Sequence, residues 1–155
     1  MVDAAAAGEQ TITNALNGSK SLFRRYSYGR LDLSWEITDA ANAYPSASDC
    51  SFDPRAAIKL VDPKIDFSRY KRLVLVLPEH NCGWAGQAQL APTSYDTDEG
   101  IRSLTVAWLV ARTLTATRLT HELGHTFGNK HARSFKCEGG GASDERRFVH
   151  DRRVR

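Results

Sequence analysis

Methionine is almost missing from this sequence: the one copy, Met1, opens the chain. Cysteine is sparse and odd in number, with Cys50, Cys82 and Cys137 and no C-x-x-C pair. That pattern excludes a zinc ribbon and a thioredoxin-like redox motif, and it leaves at least one thiol without an intramolecular partner. A Cys50–Cys82 bridge in a secreted protein and buried free thiols acting as small hydrophobes both fit the spacing. Long apolar runs are lacking too. Leu73–Leu77 is a strand-length segment, far from the roughly 18 residues of a membrane span. The start Met1-Val2-Asp3-Ala4 has neither the basic nor the apolar region of a secretory signal. Nor is there a strong excess of one charge: +3 overall is too little to argue for nucleic-acid binding. What is present is 155 residues, 41% hydrophobic and 25% charged, the profile of one ordered domain.

Residues 1–8 are alanine-rich and read as a frayed N-terminus. From Glu9 to Arg24, Ile12, Ala15, Leu16, Leu22 and Phe23 recur at helical spacing, interrupted by Gly18, and Tyr26-Ser27-Tyr28-Gly29 reads as a stop. Leu31, Leu33, Trp35 and Ile37 alternate with polar residues, which predicts a half-buried strand. Arg55–Val61 reads as a short helix started after Pro54. Arg72–Leu77 reads as a strand buried on both faces and ended by Pro78, and Gln87–Leu90 as another strand. The acidic stretch Tyr95–Gly100 reads as a solvated loop, its spacing unlike that of a calcium-binding EF-hand. A long helix is expected over Val106–Phe127. Strands ahead of a main helix point to an α/β or α+β domain, with that helix packed on a sheet. Beyond His131 the periodicity fades into a basic tail, residues 142–155, which reads as disordered.

The chemistry is concentrated in His121-Glu122-Leu123-Gly124-His125-Thr126-Phe127-Gly128-Asn129-Lys130-His131. Histidines four apart on a helix project from one face and reach one metal ion. Leu119, Leu123 and Phe127 fall on other sides of that helix and face a core. Gly128 stands where the helix must end, and a left-handed glycine there turns the chain so that His131 returns as a third ligand. Three neutral imidazoles around Zn²⁺ leave a fourth position open, the arrangement of a catalytic site. Glu122, next to the first ligand, is placed to act as general base without ligating. His80 and His150 read as surface groups.

This spacing, H-E-x-x-H-x-x-G-x-x-H, resembles that of the metzincin metalloendopeptidases. Leu77-Pro78, Cys82-Gly83-Trp84-Ala85-Gly86, Tyr26-Ser27-Tyr28-Gly29-Arg30-Leu31 and His131-Ala132-Arg133-Ser134 narrow the resemblance to the gametolysin family, over roughly residues 10–141. The resemblance implies a zincin-like α+β fold, a twisted mixed sheet with an active-site helix at about residues 106–127. It implies zinc held by His121, His125 and His131, with Glu122 catalytic. It also implies an edge strand near Trp84–Leu90 to which a peptide substrate adds, and an extracellular enzyme acting on matrix or cell-wall glycoproteins. The chain departs from the family in having no methionine downstream of the third histidine, where metzincins place a methionine-containing turn. Only 24 residues follow His131, few for the lower subdomain. Residues 9–141 therefore read as a partial catalytic domain, truncated at both ends.

Three functions follow as expectations. The first is a zinc endopeptidase. The second is a truncated relative that binds zinc with little proteolysis. The third is a binding module in which Arg146, Arg147, Arg152, Arg153 and Arg155 contact a polyanion, which the lack of an aromatic platform beyond Phe148 disfavours.

Overall fold

The computed structural model describes residues 8–38, 52–78 and 83–131. It is an α+β arrangement. Helix α1 spans Glu9–Tyr26, α2 spans Pro54–Val61 and α3 spans Ala116–Thr126. The strands are β1, Arg72–Leu77; β2, Gly86–Ala88; β3, Thr93–Thr97; and β4, Gly100–Val110. Strand β4 is central. It pairs in parallel with β1 and antiparallel with both β2 and β3, so the sheet is mixed.

The alternation of side chains along β1 and β4 divides the core in two. Leu73, Leu75 and Leu77 of β1 share one face with Leu104, Val106 and Trp108 of β4, and Ala57, Ile58 and Val61 of α2 cover them, with Phe67. Val76 and Leu109 point to the opposite face, where Ile12, Leu16 and Phe23 of α1 meet Leu119 and Leu123 of α3. Among the described residues, the sheet is thus sandwiched between α2 on one side and the α1–α3 pair on the other. Helix α2 starts as its sequence suggests, with Pro54 in the first turn and the Asp53 carboxylate accepting the Arg55 N–H at 3.0 Å.

Three expectations are corrected. The long helix over Val106–Phe127 is two elements: Val106–Val110 is the end of β4, Ala111–Thr113 forms a 3-10 turn, and the helix begins only at Ala116. A strand covered on both faces has no polar side, so Val106-Ala107-Trp108-Leu109-Val110 carries no period to distinguish it from a buried helix. Thr115 sets the true start, its hydroxyl accepting the Arg118 N–H at 3.2 Å. The acidic stretch Tyr95–Gly100 is the tip of a hairpin in which Thr97 pairs with Gly100 across Asp98-Glu99. Tyr95 is 3% exposed, which a solvated loop excludes.

The third correction concerns Leu31–Ile37. Leu31, Leu33, Trp35 and Ile37 pack against the α1–α3 side of the core while Asp32, Ser34 and Glu36 are exposed, as the alternation implies. The segment nevertheless belongs to no ladder among the described residues. It borders an apolar cavity of about 540 Å³ shared with Val74, Val76, Leu119 and Phe127. Cys50, Cys82, Cys137, His80, His150 and the tail lie outside the described residues. No described helix is long and apolar enough to cross a membrane.

Candidate metal centre

Helix α3 lies across β4 and β2 and is fixed against α1 by small residues. A Cβ at Gly18 of α1 would stand 2.5 Å from the Ala116 Cβ, so the helices meet there with no room for a side chain. One turn along, the Thr120 hydroxyl bonds to that of fully buried Ser19 at 2.9 Å. With Leu119 and Leu123 inside, His121 is left on the open side and His125 half-buried beside it.

The helix ends in a Schellman turn. The Gly128 N–H donates to the His125 carbonyl at 2.8 Å and the Asn129 N–H to the Gly124 carbonyl at 3.2 Å, with Gly128 at φ +86°. At the same end, the Arg72 guanidinium stacks 3.7 Å from the Phe127 ring centroid and its Nε donates to the Thr126 hydroxyl at 3.1 Å. The chain reverses and returns His131 to the first two histidines.

The three Nε2 atoms form a nearly equilateral triangle: 3.2 Å between His121 and His125, 3.1 Å between His121 and His131, and 3.0 Å between His125 and His131. The His125 ring stands 85° from that of His121 and 69° from that of His131, while His121 and His131 are stacked at 26° with centroids 5.0 Å apart. Nitrogens about 2.05 Å from one ion at tetrahedral angles stand about 3.3 Å apart. The sides of the observed triangle need to open by only about 0.1–0.3 Å to meet that value. The His125 Nδ1 lies 2.7 Å from the Asn129 carbonyl, which accepts its proton. That contact selects the tautomer whose Nε2 lone pair faces the other two rings. Three convergent lone pairs repel one another and attract a cation. His121, His125 and His131 are thus close enough to hold one metal ion, and imidazole donors suit Zn²⁺ and its first-row neighbours.

Glu122, next to His121 on the helix, is 9% exposed. Burial pushes its carboxyl above the usual glutamate range, and the three imidazoles pull against that shift. It faces β2, at the end of the sheet order, where a Cβ on Gly86 would lie 3.0 Å from Glu122 Oε1.

The structure brings together His121, His125 and His131, the three ligands expected from the sequence, with Glu122 buried on the same helix. The sequence left without a role Gly18, Gly86, Arg72 and the Asn129 carbonyl, which hold the helix, its carboxylate, its end and one imidazole. Glycine in the middle of a helix and at the head of a strand was the only local signal for two of them. Comparison of the chain with protein-family models, with curated proteins and with solved structures finds no match.

Proposed function

We propose that this chain is a zinc-dependent endopeptidase of the gametolysin type, acting on extracellular or cell-wall proteins. The observation that carries the reading is the triangle of His121, His125 and His131 Nε2 atoms at 3.0–3.2 Å, with buried Glu122 on the same helix and near enough for all three imidazoles to act on its charge. His121, His125 and His131 would hold Zn²⁺ there, which would supply Lewis acidity towards a carbonyl and water. Glu122 takes a proton from the attacking water and hands it to the leaving amine, with no covalent intermediate on the protein. Strand β2, antiparallel and at the end of the sheet, offers its outer main chain for an extended peptide to align on.

The test is hydrolysis of a broad peptide mixture by the zinc-loaded chain, with and without a chelator. Cleavage is expected to need zinc, and Glu122→Ala to lower kcat by about 10²–10⁴-fold while one equivalent of zinc remains bound. Unchanged turnover in Glu122→Ala refutes the assignment of the base. A second reading is a zinc-binding relative with little proteolysis. Stoichiometric zinc without cleavage selects it.

A further inference from the structure

Gly86 opens β2 and pairs with Leu109 of β4. Leu109 faces the α1–α3 side of the sheet, and directly paired residues share a face. A side chain at position 86 would therefore point at α3, and what it would meet there is Glu122. A Cβ built on Gly86 lies 3.0 Å from Glu122 Cγ, 3.0 Å from Oε1 and 3.1 Å from Cδ. Backbone conformation does not explain the glycine, because the described glycines with positive φ are Gly8, Gly29, Gly100 and Gly128. Space does.

Neither backbone is free to retreat. The edge strand is tied to β4 by Val110 N–H to Ala85 O at 3.0 Å and Gln89 N–H to Val106 O at 2.9 Å. Helix α3 is held against α1 by the Gly18–Ala116 approach and the Thr120–Ser19 bond. The element able to move is the carboxylate arm of Glu122. We propose that Gly86 is a positioning residue: by carrying no side chain it lets the Glu122 carboxylate lie against the edge strand beside the three imidazoles. The contact stands on geometry alone, and its effect on turnover rests on the hydrolase reading above.

Two readouts on the full chain test it. In the metal-free protein, Gly86→Ala is expected to lower the unfolding midpoint by about 2–4 °C, the shift for roughly 1 kcal/mol in a chain of this size. In a Glu122→Ala background the same change is expected to cost nothing. Equal shifts in the two backgrounds overturn the proposal. In the zinc-loaded protein, Gly86→Ala, which obliges the Glu122 arm to give by a few tenths of an ångström, is expected to lower kcat by roughly 3–10-fold, scaled from about 10²-fold for a 1 Å displacement, with KM and zinc affinity within about two-fold. A loss carried entirely by KM, or no loss, overturns it as well. If Gly86→Ala alone does not fold, Gly86→Ala/Glu122→Ala, which removes all three atoms the new Cβ would meet, is expected to fold. Failure of that double variant places the collision elsewhere and ends the proposal. A stability coupling accompanied by no hydrolysis in the unsubstituted chain retires the hydrolase reading and leaves the spacing role of Gly86 standing.

Discussion

Gly128 decides where α3 stops, and with it whether His131 reaches the other two imidazoles. Its φ of +86° is a conformation that costs an ordinary L-residue about 1–2 kcal/mol. Two hydrogen bonds, from the Gly128 and Asn129 N–H groups, depend on that turn. The same turn puts the Asn129 carbonyl on His125 Nδ1. Strain at one residue would thus reach two of the three ligands. Gly128→Ala is expected to lower stability by about 1–2 kcal/mol and to weaken zinc binding, read by thermal unfolding and by competition with a chromophoric chelator. Gly128→Asn should lose less of both, because asparagine tolerates the left-handed region better than alanine. Equal losses in the two variants would show that φ is not what the position demands.

Between elements, the tightest constraint is the crossing of α1 and α3. Glycine to alanine within a helix ordinarily gains about 1 kcal/mol from propensity, but at position 18 the new Cβ would stand 2.5 Å from that of Ala116. Overpacking of that kind costs about 1–3 kcal/mol, so Gly18→Ala is expected to destabilise the chain. Adding Ala116→Gly at the first turn of α3 should restore most of the loss in denaturant unfolding. The β3–β4 hairpin carries a different stress. Asp62, in the 3-10 turn after α2, accepts the Asp98 N–H at 2.9 Å. Burial raises its carboxyl above the usual range, the Asp98 N–H opposes that, and the Asp98 and Glu99 charges add to it. A carboxyl whose affinity for the proton is higher folded than unfolded loses stability for the fold as pH rises through the aspartate range, near 3.9. Asp62→Asn is therefore expected to stabilise the protein at pH 7 and to lose that advantage as the pH falls below about 4. Unfolding midpoints measured at both pH values check the sign.

At the scale of the whole molecule, what the sequence conveyed depended on the range of each interaction. The histidine cluster was legible because everything that builds it is local: a four-residue step from His121 to His125, one Schellman turn at Gly128, three more residues to His131. The alternation of Leu31 to Ile37 did predict which side chains turn inward, but pairing is not a property of the segment itself, and no described strand lies in ladder with it. The boundary between β4 and α3 was hidden because burial on both faces of Val106–Val110 erased the period. Gly18 and Gly86 were opaque for the opposite reason, since each faces a residue distant in sequence, Ala116 in one case and Glu122 in the other.

That same separation of local site from distributed core dictates how the metal and the fold are linked. The side chains packed on the two faces of the sheet include none of the three histidines, so the fold is expected to survive a chelator, unlike a zinc finger, whose core depends on its ion. Zinc is nevertheless expected to stabilise the chain if, as proposed, it binds the assembled triangle in preference to the unfolded polypeptide. At a free concentration 100 times Kd the gain is about 2.7 kcal/mol, or about 5–10 °C in midpoint for a chain of this length. Residual affinity of the unfolded His121–His131 segment reduces that figure, since its ligands are close in sequence. Far-UV circular dichroism should stay unchanged on chelation while the midpoint falls, and His125→Ala should abolish the zinc-dependent rise without lowering the metal-free midpoint appreciably. Loss of helical signal on chelation would mean instead that the three imidazoles, and not the two apolar faces of the sheet, hold α3 in place.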